Sequence, residues 1–206
     1  MIPVVDVQLA LVRPARTITI ALVAFMLMPV SAPVVARTSQ LPTICSTPTP
    51  AETEGPYFKA GSPDETALAT DEMTGTRLHV NGYVVNTNCQ PMAGALVDFW
   101  QADASGQYDN SGYTLRGHQS TDAAGHYDLE TVVPGLYPGR TRHIHVKVQA
   151  PGGPVLTTQL YFPDEPNNAR DGIFLENGQQ LLMNVQPGAD GSLSASFNFV
   201  LAVPSP

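Results

Sequence analysis

In the stretch Arg140-Thr141-Arg142-His143-Ile144-His145-Val146-Lys147-Val148, polar and apolar side chains alternate from the first histidine onward. Successive side chains of a β-strand point to opposite faces of the sheet, so Ile144, Val146 and Val148 share one face and both histidines share the other. The apolar face identifies the side that turns toward a core. This pattern predicts a strand over His143–Ala150 that carries two imidazoles together on one face.

Four further stretches are short, rich in Val, Leu, Tyr and Phe, and bounded by Gly, Pro, Asn or Asp, as strands are. They are Leu78–Val85, Ala95–Trp100, Val155–Phe162 and Leu193–Val200. The 19 Pro and 17 Gly argue against a helical bundle. We therefore predict an all-β fold, an antiparallel β-sandwich with long loops over residues 67–206, preceded by an extended N-terminal arm over residues 37–66. Gln101–Ser120 lacks periodicity and is predicted to be a functional loop.

The first 36 residues differ from the rest of the chain. Arg13 and Arg16 precede a largely apolar run of 13 residues, Ile18–Val30, and small residues follow at Val34 and Ala36. This order is typical of a secretory signal peptide, so we predict a signal over residues 1–36 and export to the periplasm or the extracellular space. The run is shorter than the roughly 20 apolar residues of a membrane span, so no stable span is expected after cleavage. A buried N-terminal strand or helix is the alternative.

Composition narrows the classes of partner. The 206 residues carry 10 Lys and Arg against 18 Asp and Glu, a net charge of −8, which disfavours nucleic acid. Apolar residues make up 43% and charged residues 14%, as in a chain that folds around a core. In an oxidising compartment, Cys45 and Cys89 are expected to form a disulfide that ties the arm to the body. Two separate thiols or two metal ligands are the alternatives.

The paired histidines are a candidate metal site. Residues two apart on a strand lie about 6.6 Å apart at their Cα atoms, which lets two imidazoles converge on one ion. Hydrogen-bonded surface histidines are the alternative. Added carboxylates would indicate ferrous iron and a third histidine would indicate zinc, but His79, His118 and His126 are isolated and are predicted to be structural. Tyr137 and Tyr108 are the next candidates, although spacing alone does not select them from seven tyrosines.

Six motifs follow one another between about Thr47 and Asp171. They are Glu52–Phe58, Phe99–Asp103, Arg116–Gly117 with Thr121–Ala123, Pro134–Arg140, His143–His145 and Leu156–Phe162. In this order they resemble the motifs of the intradiol ring-cleavage dioxygenases, the family of the protocatechuate 3,4-dioxygenases and catechol 1,2-dioxygenases. The short loops and the predicted export are similar to a small exported branch of that family.

The resemblance implies a β-sandwich that binds non-haem Fe(III) through two tyrosinates and two histidines. Carried over motif by motif, the ligands fall on Tyr108, Tyr137, His143 and His145. Tyr113, in the same loop, is the alternative to the first of them. Tyr137 is also implied to be catalytic, as the ligand that leaves and accepts a substrate proton. The catalytic Arg140 is implied to stabilise negative charge on the substrate, and the catalytic Gln159 to orient it.

The implied reaction inserts both atoms of O2 into a catecholic substrate and opens the ring between the hydroxyl-bearing carbons, giving a muconic acid-type product. The acidic chain favours an uncharged catechol unless Arg140, Arg142 and Lys147 make the mouth of the site locally positive. A homo-oligomer is compatible with the family. The alternatives are a non-catalytic exported β-sandwich that binds a small aromatic molecule or a protein partner, and a zinc hydrolase that uses the paired histidines.

Several of these residues also have simpler structural interpretations. The guanidinium of Arg140 could pair only with an acid such as Glu130 or Asp128. Glu54 is expected to anchor the N-terminal arm. Trp100 is expected to pack in the core, as a single large aromatic residue on a strand usually does.

Overall fold

The structure is a computed structural model that describes Pro3 and residues 41–203. Chain contacts divide the molecule into two units, Met1–Val35 and Ala36–Pro206, and the strands of the described residues all lie in the second. Apart from Pro3, the predicted signal peptide at residues 1–36 lies outside the described residues. Across the described part of the chain, no helix is long and apolar enough to cross a membrane.

Nine β-strands provide most of the regular structure in residues 41–203. In chain order they are β1 (Arg77–Asn86), β2 (Leu96–Trp100), β3 (Arg116–Ser120), β4 (His126–Val132), β5 (His143–Gln149), β6 (Val155–Tyr161), β7 (Asn184–Pro187), β8 (Leu193–Ser196) and β9 (Phe199–Leu201). Four of the five predicted strands correspond to β1, β2, β5 and β6, with ends that differ by one residue at most. The fifth is divided into β8 and β9.

The strands form two sheets that enclose the core. One sheet has the order β4-β1-β8-β7, with β9 also paired with β1, and the other has the order β3-β2-β5-β6. Apolar side chains from both sheets meet in one buried cluster, to which Val80 and Leu129 contribute from the first sheet and Phe99, Ile144 and Val146 from the second. The predicted all-β sandwich is therefore confirmed, and the apolar face of β5 turns inward as the alternation predicts.

The strand directions depart from the prediction in one place. The second sheet is antiparallel throughout, as predicted. In the first sheet, β1 pairs antiparallel with β4 but parallel with β8 and β9. Parallel neighbours require a long crossover connection, and the chain between β1 and β8 supplies one because it includes the whole second sheet.

Three strands lie at positions for which no strand was predicted. They are β3, inside the stretch Gln101–Ser120 that was expected to be a loop, together with β4 and β7. Strand β3 has no apolar face to bury. It buries the polar side chains of Arg116 and Gln119 instead. The Gln119 carboxamide bonds the backbone N–H and carbonyl of Asp128, so its polar groups have partners inside the fold. Hydrophobic periodicity does not reveal a strand of this kind.

A short helical segment connects β6 to β7. It consists of a 3-10 turn at Pro166–Arg170, the helix α1 at Gly172–Asn177 and a second 3-10 turn at Gly178–Leu181. Asp171 lies between the first two and caps α1, since its carboxylate accepts from the backbone N–H groups of Ile173 and Phe174. The segment thereby fixes a buried acid beside the second sheet.

The N-terminal arm lies along the sandwich and is bonded to it. The backbone N–H of Thr49 donates to the carbonyl of Val200 at 2.9 Å, and that of Glu52 donates to the carbonyl of Thr157 at 2.9 Å. Cys45 and Cys89 form a disulfide, with their Cα atoms 5.3 Å apart. The predicted disulfide is confirmed, and it joins the arm to the loop that follows β1.

Removal of this disulfide is expected to destabilise the protein by about 4 kcal/mol, because it closes a loop with a sequence separation of 44 residues. The double variant Cys45→Ser/Cys89→Ser should show this loss in urea unfolding, and the wild-type protein in reductant should reproduce it. A loss below about 1 kcal/mol in both would show that the disulfide does not limit the freedom of the unfolded chain.

Candidate metal centre

The two histidines of β5 are buried and converge. Only 3% of His143 and 1% of His145 is exposed, and their Nε2 atoms lie 3.2 Å apart. The alternative of two surface histidines is therefore wrong, and with it the premise on which the non-catalytic sandwich was considered. They are buried because β5 is an inner strand whose histidine-bearing face is covered by the N-terminal arm and by the loops that carry the tyrosines.

Both imidazoles are in the neutral form at pH 7. Burial lowers the pKa of His143 to about 4, and the positive charge of Arg140 adds to the effect. Burial and the neighbouring imidazole lower the pKa of His145 well below its ordinary value. The Nδ1–H of His143 donates to the carbonyl of Thr141 at 2.6 Å, which leaves a lone pair on Nε2 that points toward His145. A neutral imidazole with one nitrogen held in this way is the form that binds a metal ion.

Tyr108 lies beside the histidines, whereas Tyr113 does not. The Tyr108 ring stacks on Tyr57 with centroids 4.3 Å apart and lies 6.3 Å from the ring of His145. Its hydroxyl is buried and has no hydrogen-bond partner of standard geometry among the described residues. Burial raises the pKa of this phenol well above its ordinary value. Tyr113 is 37% exposed, and its hydroxyl donates to the carbonyl of Ala60 at 2.9 Å.

Tyr137 joins the histidines to the site arginine. Its hydroxyl is 3.3 Å from Nε2 of His143 and accepts a hydrogen bond from Nη1 of Arg140 at 3.3 Å. Its ring lies edge-on to Tyr108, with centroids 5.7 Å apart. Burial raises the pKa of the Tyr137 phenol, and the contact with Arg140 opposes that rise. The guanidinium therefore favours a negative charge on this oxygen.

The two loops that carry the tyrosines touch backbone to backbone. A Cβ on Gly106, whose φ is +85°, would lie 2.1 Å from the carbonyl oxygen of Leu136. A Cβ on Gly135 would lie 2.3 Å from the backbone nitrogen of Gly106. The backbone N–H of Gly135 also donates to the carbonyl of Asp103 at 2.7 Å. Only glycine fits at these positions, which is why each tyrosine follows a glycine by two residues.

The N-terminal arm closes the site from the other side. Gly55 has a φ of +70°, and a Cβ there would lie 3.3 Å from Cε1 of His145. The arm backbone thus rests against this imidazole, and Tyr57 follows it to stack on Tyr108. The motif Glu52–Phe58 is therefore part of the site wall as well as an attachment of the arm.

Arg140 is held by three groups around the site. Its Nε donates to Oδ2 of Asp171 at 2.9 Å, and its Nη2 donates to Oε1 of Gln159 at 2.6 Å. Burial lowers the pKa of Arg140, but the hydrogen bond to Asp171 together with the charges of Tyr137, Asp171 and Tyr161 more than offsets this, so the pKa lies above its ordinary value. The interpretation in which Arg140 pairs with an acid is confirmed, but the acid is Asp171 and neither Glu130 nor Asp128. The sequence pattern does not identify Asp171 as the partner because the helical segment brings it into contact across the fold.

A cavity of about 490 Å³ lies next to Tyr137 and Arg140. Its other lining residues are Leu136, Pro138, Gly139, Asn167, Arg170 and Asp171. Sites for small molecules in proteins commonly have volumes of about 300 to 1,000 Å³. The cavity can therefore admit a small aromatic molecule next to the site arginine and one of the two tyrosines.

Two residues shape the site although the sequence analysis gave them no role in it. The guanidinium of Arg116, only 1% exposed, donates to the carbonyls of Tyr57 at 2.6 Å and Asp109 at 3.0 Å, so it holds the arm and the Tyr108 loop together. Trp100 is 1% exposed, as predicted for a core residue, and its ring stacks on His145 at 4.8 Å. Both residues lie in motifs that resemble those of the intradiol dioxygenases. That resemblance is the sequence feature that could have indicated their role in the site.

The remaining histidines lie outside this cluster. His79 is 2.7 Å from the carboxylate of Asp128, Nδ1 of His118 is 3.1 Å from the hydroxyl of Ser62, and His126 packs edge-on against a tyrosine ring. Within residues 41–203 no group of three or more His, Cys, Asp or Glu is arranged to hold a metal ion. A metal ion held by the two histidines would therefore take any further ligands in the described part of the chain from other residue types.

The four predicted ligands fit a ferric ion. Two neutral imidazoles and the Tyr137 oxygen meet at one place, the Tyr108 ring lies beside them, and a phenolate is a hard anionic donor suited to a hard cation. The buried Tyr108 hydroxyl has no partner of standard geometry among the described residues, which calls for an explanation, and a bound cation supplies one. The residues that would hold the ion are Tyr108, Tyr137, His143 and His145.

Comparison with known proteins agrees with this arrangement. The sequence model of a family described as Dioxygenase matches residues 53–203. A protocatechuate 3,4-dioxygenase beta chain from Burkholderia cepacia is 34% identical over 126 residues, which cover 52% of this chain and 54% of that protein. Catechol 1,2-dioxygenase 2 from Acinetobacter lwoffii is 35% identical over 144 residues, which cover 57% of this chain and 52% of that protein. The chain spans about half the length of these curated relatives.

Solved structures are similar over more of their length. The dioxygenase domain of a dioxygenase and carbohydrate-binding protein fusion from Streptomyces sp. SirexAA-E is 55% identical with a TM-score of 0.73, and the match covers 77% of this chain and all of that one. An intradiol ring-cleavage dioxygenase from Tetranychus urticae is 29% identical with a TM-score of 0.70, over 76% of this chain and 95% of that one. Since the family model also spans most of the sequence, the chain belongs to the intradiol ring-cleavage dioxygenase family.

Proposed function

We propose that the protein is a non-haem Fe(III)-dependent intradiol dioxygenase that opens a catecholic ring with O2 to give a muconic acid-type product. The observation that carries this proposal is the convergence of two neutral imidazoles and two phenols beside a fixed guanidinium, at the wall of a cavity. Ferric iron bound there would act as a Lewis acid and a one-electron acceptor for the substrate.

The side chains supply binding and proton transfer. The Tyr137 oxygen accepts from Arg140 and is next to the cavity, so it is placed to take a proton from a catechol hydroxyl. The charge of Arg140, held in place by Asp171 and Gln159, is placed to stabilise negative charge that develops on the substrate. Burial of the histidines and of the Tyr108 hydroxyl limits the access of water to the same point.

The charges around the site favour an uncharged catechol. Arg140 is paired with Asp171, Arg142 with Glu165 at 3.1 Å, and Lys147 with Glu54 at 2.5 Å. These three basic residues therefore add little net positive potential at the mouth. Among the described residues Arg170, on the cavity wall, has no acidic partner, and a single exposed charge of this kind is worth about 1 kcal/mol or less.

The test is a spectroscopic and product assay on iron-loaded protein. We expect a visible band from tyrosinate-to-iron charge transfer, a shift of that band when catechol is added, and O2 uptake with a ring-opened muconate. We expect catechol to have a higher kcat/KM than protocatechuate. Colourless protein with iron bound would contradict the ligand set. A product that keeps its ring, or is cleaved outside the two hydroxyls, would contradict the reaction.

We also propose that the protein is exported. The order of basic, apolar and small residues in 1–36 supports this, as does the disulfide, since such bonds persist mainly in oxidising compartments. The mass of protein recovered from the periplasm or culture medium of a bacterial host should correspond to loss of residues 1–36. Recovery only of the uncleaved chain in the cytoplasm would contradict the proposal.

A further inference from the structure

A partly buried carboxylate lies behind the site, at the end of a row of hydrogen bonds that leads to Arg140. The hydroxyl of Tyr161 is 2.5 Å from Oε2 of Glu52 and 3.1 Å from Oε1 of Gln159. The same Gln159 oxygen accepts from Nη2 of Arg140 at 2.6 Å. The row therefore runs from Glu52 through Tyr161 and Gln159 to Arg140.

Tyr161 has one hydroxyl proton and two oxygen neighbours that can accept it. Tyr161 and Gln159 are both 0% exposed, so water does not compete for these bonds. The carboxamide of Gln159 cannot rotate freely, because its Nε2 donates to the carbonyl of Thr53 at 2.9 Å. The direction of the Tyr161 hydroxyl is therefore set by whether Glu52 carries a proton.

Each protonation state of Glu52 gives a different bond at Gln159. When Glu52 is ionised, Tyr161 donates to it, and Oε1 of Gln159 accepts from Arg140 alone. When Glu52 is protonated, it donates to the Tyr161 oxygen, and the Tyr161 proton turns to Oε1 of Gln159. That oxygen can accept two hydrogen bonds, but the second donor weakens the bond from Arg140 because both draw on the same acceptor. The other oxygen of Glu52, Oε1, is buried without a partner among residues 41–203, so no other hydrogen bond there opposes the change.

We infer that Glu52 is a positioning residue for the ring-opening reaction, and that its proton, through Tyr161, sets how firmly Gln159 holds Arg140 toward the substrate. The inference rests on the proposed function, because it assumes that Arg140 and Gln159 act on a bound catechol. No role for Glu52 follows from the sequence motif, in which it is one of two glutamates.

The groups that face Glu52 allow both states near neutral pH. Burial raises the pKa of Glu52 to about 7, the hydrogen bond from Tyr161 and the charge of Arg140 lower it, and the charges of Asp171 and Glu176 raise it. These come from β6, from the loop before β5 and from the segment around α1. A carboxyl whose pKa is raised by folding contributes stability below its unfolded value of about 4.5, and that contribution is lost as the pH rises through about 7.

The first test uses iron-free protein and does not depend on activity. We expect an infrared band of a protonated carboxyl in wild type at pH 6 that disappears by about pH 8 and is absent from Glu52→Gln. In urea unfolding, wild type should lose stability relative to Glu52→Gln as the pH rises from about 5 to about 8. Glu54→Gln is the matched control, since Glu54 is a neighbouring glutamate that is paired with Lys147 outside the row, and it should behave like wild type in both measurements.

The second test uses iron-loaded protein. In wild type we expect kcat for catechol to rise about tenfold as the pH passes through about 7, which is the usual size of an effect from a residue that orients a site group. Glu52→Gln has no titrating group at this position, so its kcat should stay constant as the pH passes through about 7, with KM within about twofold of wild type. Tyr161→Phe should also lose the pH dependence, and the double variant should add nothing further.

The outcomes separate this inference from the proposed function. If wild type cleaves catechol but Glu52→Gln keeps both the carboxyl band and the pH profile, the inference is overturned and the function stands. If wild type shows the band and the stability change but no ring cleavage with iron, the proposed function fails and the reaction role of Glu52 fails with it. A Glu54→Gln variant that matches Glu52→Gln would also overturn the inference.

Discussion

Replacing His145 with Ala is expected to abolish iron binding and ring cleavage. The Nε2 atom of His145 lies 3.2 Å from that of His143, and no third histidine is near enough to replace it. Removal of a residue that only orients a metal ligand lowers metal affinity or activity by about 10- to 100-fold. Loss of the ligand itself should therefore lower iron affinity and kcat by at least about 100-fold. Iron content after dialysis and O2 uptake with catechol are the measurements.

The control for this variant is His79→Ala, which removes an imidazole that is paired with Asp128 away from the site. It should keep full iron content and activity. Thermal unfolding of the iron-free His145→Ala protein shows whether the fold persists without the stack on Trp100. A folded His145→Ala protein that retains one iron per chain and wild-type colour would contradict the assignment.

Replacing Tyr108 with Phe is expected to weaken iron binding strongly while leaving the iron-free protein at least as stable as wild type. Among the described residues the buried hydroxyl has no hydrogen-bond partner of standard geometry, and its polar neighbour is the Tyr137 side chain. Its removal therefore relieves a poorly satisfied polar group, an effect of up to about 1 kcal/mol in favour of the folded state. The ring and its stack on Tyr57 remain. Loss of the charge-transfer band together with unchanged or raised stability is the expected pair of results.

Tyr113→Phe is the matched control, because Tyr113 lies in the same loop and its hydroxyl has a partner. Loss of the bond to the carbonyl of Ala60 should lower stability by less than about 1 kcal/mol. The colour and the activity should not change. If Tyr113→Phe loses the band and Tyr108→Phe keeps it, the ligand is Tyr113 and the position of Tyr108 beside the histidines has another cause.

Short runs rich in Val, Leu, Tyr and Phe between turn residues, together with the alternation of β5, were sufficient to predict the sandwich, because these runs correspond to β1, β2, β5 and β6. Strand β4 has the same alternation, with Tyr127 and Leu129 buried, and could have been predicted in the same way. Strand β3 could not, because Gln119 is buried through hydrogen bonds to Asp128 of β4, a strand of the other sheet. The parallel pairing of β1 with β8 depends on the path of the chain between them, which no local pattern encodes.

The candidate site was also predictable from the sequence only in part. The convergence of His143 and His145 follows from their spacing on one strand, and the structure shows it. The choice of Tyr108 over Tyr113 came from resemblance alone, since both follow a glycine by one or two residues in an unpatterned loop. Asp171 was not predicted because its contact with Arg140 depends on the cap of α1, and the contact of Arg116 with Tyr57 joins segments 59 residues apart.

The contact between Gly106 and Gly135 has a consequence for how this protein could be engineered. This contact joins the two tyrosine loops at their bases. The distance between the phenols is therefore determined by the main chain and does not depend on the residues in the rest of either loop. Residues inserted between Tyr108 and Arg116 would therefore leave the bases of both loops, and with them the phenols, in place. A redesign that lengthens this segment should leave both glycines untouched.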